Sequence, residues 1–325
     1  MELTFRDAIR EALVEEMERD PAVFLLGEDI GLYGGAFGVT KGLLDRFGSK
    51  RVVEPPISEN SFVGLAVGAA ASGLRPVVEI MFMDFIALAM DPILNQASKL
   101  HYIYGGQVNV PLVIRAPSGA GRGYGASHSQ SLETLFQPIP GLKIVVPSTP
   151  ADAKGLLKSA IRDDSPVLFV EPKLLYGVKG EVPAGEHLVP IGKARIARVG
   201  TDVSILAIGR AVGWAMEAAE KLEAKGKSAE VVDLRTLKPL DGDAIAASVR
   251  KTGRAVVVEE SPMSGGVGAE VLARVAETCF SALKGPVARV AVPDVPIPAS
   301  TSLEASILPD ADAVVAACER TFARG

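Results

Sequence analysis

The sequence predicts an α/β protein of two domains, each a mostly parallel sheet covered by helices. Three observations carry this. Short apolar runs bounded by Gly and Pro read as fully buried strands, among them "VFLL", "PLVIRAP", "PVLFVEP" and "VSILAIG". They alternate with longer segments of helical period, which is the grammar of a parallel sheet covered on both faces. The rhythm breaks once, in "LLYGVKGEVPAGEHLVPIGKA", and then restarts, so domains over residues 1–185 and 186–325 are expected.

In chain order, Phe5, Ala8, Ile9, Ala12, Leu13 and Met17 give residues 5–19 a helical period that Pro21 ends. The strand "VFLL" leads into a glycine-rich loop, "GEDIGLYGGAFGVTKG". After "EPPI", Ser58 and Glu59 open a helix of small residues, with Gly73 as its expected stop. "RPVVEIMF" reads as a strand and residues 84–100 as one strongly apolar helix. "PLVIRAP" and "LKIVVP" are further strands, separated by the loop holding "SGAGRGYGASHSQS". Thr149 and Pro150 sit well at the start of a helix over 150–162. In the second half, strands at "VSILAIG", "AEVVDLR", "AVVVEE" and "VARVAVP" alternate with helices over 211–225, 241–251, 267–283 and 311–323.

With 325 residues and 48% apolar content, the chain is long enough for two packed cores. A net charge of −5 with scattered Lys and Arg argues against a nucleic-acid surface. The charged, helical N-terminus does not read as a signal peptide, and no apolar run suffices to span a bilayer, so a soluble, cytoplasmic protein is expected. Cys279 and Cys318 lack metal-ligand spacing and read as reduced thiols.

Motifs of common enzyme classes are sparse. "GAGRGYG" follows a strand as a phosphate-binding turn would, but "ASHSQSLE" after it is not an apolar helix start, and no acidic residue ends a following strand. No Walker A sequence, GxSxG elbow or zinc cluster is present. Of three histidines, His187 lies in the polar linker and reads as solvated, and His101 as structural. His128 stands apart in a glycine-rich loop beside Ser127, Ser129 and Gln130, where an imidazole can exchange protons near neutral pH. Glu59, a carboxylate at the head of an otherwise apolar helix, either favours the helix dipole or meets a substrate group.

"FLLGEDI", "PPISE", "GLAVGAAASGLRPVVEI", "HSQS", "PGLKIVVPSTPADAKGLLKSAIRD", "EPKLLYG", "VVDLRTLKPLD" and "GVGAEV" together resemble one family over nearly the whole chain. It is the beta subunit of the thiamine-diphosphate-dependent E1 component of 2-oxo acid dehydrogenase complexes. The resemblance implies a transketolase-like pyrimidine-binding domain followed by a transketolase C-terminal-like domain that serves dimerisation and E2 contact. It implies an α2β2 heterotetramer with thiamine diphosphate between alpha and beta chains, and Mg²⁺ held mainly by alpha. The lack of a GDG motif agrees with such a half-enzyme.

By resemblance, Glu59 faces N1′ of the cofactor's aminopyrimidine and favours its imino tautomer, and Phe85 packs on that ring. His128 matches the histidine that moves a proton during reductive acylation of the E2 lipoyl domain. Leu112, Ala160 and Asp163 fall on the stretches that hold a structural K⁺ through backbone carbonyls. Pyruvate is the first-choice substrate, with acetoin dehydrogenase and branched-chain 2-oxo acid dehydrogenase as alternatives, and a non-catalytic docking subunit as a different class of reading. "EPPISE" and the middle of "MFMDF" depart from the family pattern without touching Glu59 or Phe85.

Overall fold

The structure, a computed structural model, describes residues 1–323, which fall into two compact units. The first comprises Met1–Ser118 and Leu135–Ile191; the second comprises Gly119–Thr134 and Gly192 onward. Among the described residues no helix is long and apolar enough to cross a membrane.

The first unit contains strands β1 (Glu2–Thr4), β2 (Val23–Gly27), β3 (Val52–Val53), β4 (Arg75–Glu79), β5 (Val113–Ser118), β6 (Lys143–Val145), β7 (Val167–Pro172) and β8 (Lys179–Glu181). Its helices are α1 (Phe5–Arg19), α2 (Leu43–Phe47), α3 (Glu59–Ala71), α4 (Leu100–Ile103) and α5 (Pro150–Arg162). Six strands run parallel in the order β6-β7-β5-β4-β2-β3. The chain leaves β2 toward β3 on one side and returns through α3 to β4 on the other. The carboxyl ends of β2 and β4 therefore flank a topological switch point, where open α/β sheets bind ligands.

Each helix has a local cause. Thr4 caps α1 and Thr149 caps α5, each accepting the N–H of the aspartate three residues on. Pro150 sits in the first turn of α5, where a missing N–H costs nothing. α3 ends at Ser72, and Gly73 follows at φ +96°, the left-handed conformation of a helix stop. α1 and α5 pack together over a core that includes Phe5, Ile9, Leu13, Leu156, Leu157 and Phe169.

Two readings change. Residues 84–100 are not one helix but a 3-10 segment Met83–Ala89, a π turn Pro92–Ala97 and the short α4. Pro92 supplies no N–H, and its ring clashes with the preceding turn, so the ladder cannot pass it in α register. The rhythm-breaking segment holds a strand after all: β8 pairs antiparallel with β1, Leu3 opposite Gly180.

The second unit contains β9 (Arg195–Arg198), β10 (Val203–Ala207), β11 (Ala229–Asp233), β12 (Thr236–Lys238), β13 (Ala255–Pro262) and β14 (Ala288–Val292). Its helices are α6 (Ala211–Glu223), α7 (Gly242–Thr252), α8 (Val267–Cys279), α9 (Thr301–Ile307) and α10 (Ala311–Phe322). Five strands form a sheet in the order β14-β13-β10-β11-β9, parallel except for β9 at the edge. Its core runs from Val203 and Ile205 through Ala215 and Leu222 to Val314 and Cys318. Both cysteines are buried free thiols, and burial pushes that of Cys318 up to about 12.

Candidate active site

In the first unit, three chain segments leave the carboxyl ends of neighbouring strands around the switch point. Glu28 follows β2, Glu59 heads α3 after β3, and the turn carrying Phe82 and Phe85 follows β4. Both glutamates are about nine-tenths buried or more, at 6% exposure each. The Ser58 N–H donates to the Glu28 carboxylate, yet Glu28 Oε1 is buried with no partner. The Glu59 carboxylate has no hydrogen-bond or ion-pair partner among the described residues. Burial, and then the nearby charge of Glu59, hold the Glu28 carboxyl above its ordinary pKa.

Glu59 does not cap its helix: Ser58 is the N-cap residue, and α3 has no side-chain cap bond. Two buried acids without a cation form a place where an incoming N–H donor would be strongly held. An aromatic group lies on the neighbouring turn. Phe85 is half-buried, its ring edge-on to Phe82 at 6.1 Å. Phe82 meets Phe37 at 5.5 Å and lies 5.0 Å from the ammonium of buried Lys173. The turn of Phe85 packs against α3. A carboxylate without a donor and a second with one oxygen still open, on elements next to half-buried aromatic rings, fit the polar edge and flat faces of an aminopyrimidine.

Beneath this face the strands carry charge inside the sheet. Arg115 on β5 is 1% exposed and binds Glu171 on β7 and Glu79 on β4. The Tyr176 hydroxyl donates to Glu171 at 2.6 Å. The glycine-rich loop passes close over this triad: a Cβ on Gly35, at φ +82°, would stand 3.0 Å from Glu79 Oε1. Glu28 and this triad escape sequence reasoning, although a signal exists. An arginine within "PLVIRAP" needs acidic partners, and Glu79 lies opposite it in register.

The carbonyls expected for K⁺ lie at the other end of the same sheet. Leu112 precedes β5 and its carbonyl accepts the Val167 N–H at 2.8 Å. Ala160, in the last turn of α5, accepts the N–H of Asp163 at 3.3 Å. The Asp163 carbonyl is bonded by Arg75 Nη1 at 3.2 Å. Each of the three carbonyls keeps a second lone pair, but the partner of Asp163 is a guanidinium cation, which repels a second cation. Among the described residues no group of three or more His, Cys, Asp and Glu could hold a metal ion.

His128 belongs to the second unit, in the loop Gly119–Thr134. It is half-buried, with Nδ1 3.1 Å from Ser127 Oγ and its backbone N–H on Gly125 O. Ser129, Gln130 and Leu132 of this loop line a cavity of about 500 Å³ with Glu260, Val295 and Ile297. The "GAGRGYG" turn does have nest-like geometry, with Gly119, Gly121, Gly123 and Gly125 all at positive φ. Its amides are taken by the chain's own carboxylates. Ala120 N–H donates to Glu260 at 2.7 Å, and Gly121 and Gly123 donate to the two oxygens of Glu304 at 2.7 and 2.9 Å. A phosphate there would meet resident negative charge, so the turn is not a dinucleotide site.

The other histidines are structural. His101 Nδ1 lies 2.9 Å from Val108 O. His187 is held rather than solvated, with Nε2 3.1 Å from Ala151 O, and a Cβ on Gly155 would touch its ring at 3.0 Å.

Comparison with known proteins also divides the chain in two, with the loop Gly119–Thr134 counted in the first part. Residues 1–179 match the family model of the transketolase pyrimidine binding domain, and residues 192–314 that of the transketolase C-terminal domain. The chain is 49% identical to the mitochondrial pyruvate dehydrogenase E1 component subunit beta-2 of rice, Oryza sativa, over 99% of this chain and 87% of that one. It is 48% identical to the beta subunit of an acetoin:2,6-dichlorophenolindophenol oxidoreductase of Cupriavidus necator, over 99% of this chain and 98% of that one. Among solved structures, a split-gene transketolase described as an inactive beta4 tetramer superposes with a TM-score of 0.79 at 28% identity, over 98% of both chains.

Proposed function

The chain belongs to the family of beta subunits of the thiamine-diphosphate-dependent E1 component of 2-oxo acid dehydrogenases, and from that membership we propose that, with a separate alpha chain, it decarboxylates pyruvate and acylates a lipoyl group. The observation that carries the catalytic part is Glu59: a buried carboxylate without a hydrogen-bond or ion-pair partner among the described residues, beside Glu28 at the switch point. Thiamine diphosphate, when bound, supplies the reactive carbon and the electron sink for decarboxylation.

This chain's residues bind and tune one end of that group. Glu59 holds the proton at N1′ of the aminopyrimidine, and its burial strengthens the bond. Phe85 packs on the ring. Glu28, its carboxyl held above the ordinary pKa by burial and by the charge of Glu59, lies beside it as a second acid. His128 moves a proton to or from the lipoyl sulfur in the second half-reaction.

Mg²⁺ and the diphosphate belong mainly to the alpha chain in this reading. A K⁺ ion would rest on the carbonyls of Leu112 and Ala160 at the C-terminal end of α5, with Asp163 the weakest ligand because Arg75 competes for it. The partners are an alpha chain in an α2β2 tetramer, a second beta chain, and the lipoyl domain and core of E2. The domains proposed are residues 1–185 for the cofactor and 186–325 for dimerisation and E2. The compartment proposed is the cytoplasm, with which two free thiols agree.

One observation favours a second substrate. The acetoin-oxidising relative is as similar as the pyruvate-dehydrogenase ones, at 48% against 49% identity. The experiment is turnover by the purified chain, with and without its alpha partner, in the presence of thiamine diphosphate and Mg²⁺. Pyruvate, 3-methyl-2-oxobutanoate and acetoin are each offered with ferricyanide as electron acceptor. Activity only in the mixture, highest on pyruvate, is the expected result. Preference for acetoin selects the second reading, equal activity without alpha overturns the split site, and inactivity throughout leaves a docking subunit.

A further inference from the structure

We infer that Glu304 and Glu260 are positioning residues for His128, acting as internal anions that replace a bound phosphate in the glycine nest of the loop Gly119–Thr134. The inference rests on the proposed role of His128 in lipoyl acylation and adds the residues that fix where the imidazole stands.

Successive amides in alternating conformations form a concave donor surface that collapses or opens unless an anion fills it. Gly121 at φ +100° and Gly123 at φ +69° direct their N–H groups to Glu304, one to each carboxylate oxygen. Glu304 is 2% exposed, so this carboxylate has exchanged water for two backbone amides. Glu260 takes the Ala120 N–H and lies 3.5 Å from Arg210 Nη1, which also reaches the Ala120 carbonyl at 3.4 Å. The far end of the loop is fixed separately. Ser261 Oγ donates to Glu133 at 2.8 Å, and Thr134 Oγ1 donates to the Gly265 carbonyl.

The segment between these two anchors carries His128. The Gly125 carbonyl that receives the His128 N–H lies two residues beyond the Glu304 anchor at Gly123. A Cβ on Gly123 would lie 3.1 Å from Ala299 O, so this part of the loop is seated closely on the chain just before α9. Loss of the Glu304 carboxylate therefore releases the backbone from which the imidazole projects. A glutamine cannot replace it: its amide oxygen can accept from one glycine, but its NH₂ then faces the second N–H donor.

The test uses the reconstituted tetramer with thiamine diphosphate, Mg²⁺ and an isolated lipoyl domain. The readout is the ratio of lipoyl acylation to ferricyanide-coupled decarboxylation. Glu304→Gln and Glu260→Gln should each lower that ratio, Glu304→Gln by up to about a hundredfold, the loss expected when a reacting group is displaced by about 1 Å. Combining Glu304→Gln with His128→Asn should cost no more than His128→Asn alone, because both changes act through one imidazole.

A ratio unchanged in Glu304→Gln, with His128→Asn impaired, overturns this inference and leaves the role of His128 standing. A ratio unchanged in His128→Asn overturns the role of His128 itself and this inference with it. Multiplicative losses in the double variant also overturn the inference, since Glu304 would then act elsewhere. Should Glu304→Gln not assemble, Glu260→Gln, which leaves the Glu304 carboxylate in place, carries the same test, and the same outcomes decide.

Discussion

Arg115 and Glu171 face each other inside the sheet of the first unit through two parallel hydrogen bonds, Nε to Oε1 at 2.7 Å and Nη2 to Oε2 at 2.9 Å. The third nitrogen binds Glu79 at 2.6 Å. Burial works against the guanidinium charge, but the two carboxylates outweigh it and hold its pKa up. Burial also raises Glu79, and Arg115 opposes the rise. Replacing Arg115 by Met strands two acids in the sheet. A loss of about 3–5 kcal/mol, or failure to fold, is expected in urea denaturation. Tyr176→Phe removes only the hydrogen bond to Glu171 and should cost about 1–2 kcal/mol. Equal effects of the two variants would show that the triad does not carry the charge balance described.

Lys158 offers a contrast, because burial of its stem is similar while its partners reach solvent. Its side chain is 2% exposed, and Nζ binds Glu15 at 2.7 Å and Glu186 at 2.9 Å, whose side chains are 37% and 58% exposed. Burial works to lower the Lys158 pKa, but these two partners raise it overall. Its contribution is therefore full below the unfolded pKa of 10.5 and is lost as pH rises through the higher folded value. Lys158→Met keeps the stem and should cost no more than about 1 kcal/mol at neutral pH. Denaturation at pH 7 and 11 should show the gap between variant and parent shrinking at the higher pH; a widening gap would contradict the assignment.

Glu59→Gln should abolish decarboxylation by about a hundredfold or more in the reconstituted tetramer, with assembly intact by size exclusion. The same change removes the charge that helps raise Glu28. Carbon NMR of labelled glutamate should show the Glu28 carboxyl titrating closer to the ordinary range in the variant, though still above it because burial is the larger cause. An unshifted Glu28 would mean that the two carboxylates do not share a field.

Glu259 on β13 makes a prediction for the second unit. Burial pushes its carboxyl up to about 7 from 4.5, aided by the charge of Glu133 and opposed by the N–H groups of Gly268 and Val267 and by Arg289. A raised acid binds its proton more tightly when folded, so stability is greatest below pH 4.5 and falls as pH rises toward 7. The full difference is about 3–4 kcal/mol at one pKa unit per about 1.4 kcal/mol. Glu259→Gln should flatten that part of the stability curve and be more stable than the parent at pH 8. A variant that keeps the parent's slope between pH 5 and 7 would exclude Glu259 as its source.

Legibility followed the range of the interactions. α5 could be read from Thr149, Pro150 and its apolar period because cap, proline and stripe all act within one turn of chain. α3 and its Gly73 stop were readable for the same reason. The segment after β4 misled because its composition is uniformly apolar, and one proline decided the ladder. Phe85 stood out only through resemblance, and Glu59, though conspicuous at the head of an apolar helix, was given its role only by resemblance; nothing in their local sequence separates them from a core aromatic and a dipole-favouring acid. Glu28 was passed over because its meaning lies in Glu59, thirty-one positions away.

By itself the sequence determined two α/β halves, the strands and most helices, since apolar period and caps are local properties that burial merely rewards. It also determined that Glu59 heads a helix too apolar to need it. Only tertiary structure decided that Glu28 and Glu59 share a buried face, that Arg115 is balanced by strands on either side, and that the phosphate-like turn is already filled by Glu260 and Glu304. The reason is physical: a charge survives burial only through partners, and parallel sheets and folded loops draw those partners from distant parts of the chain.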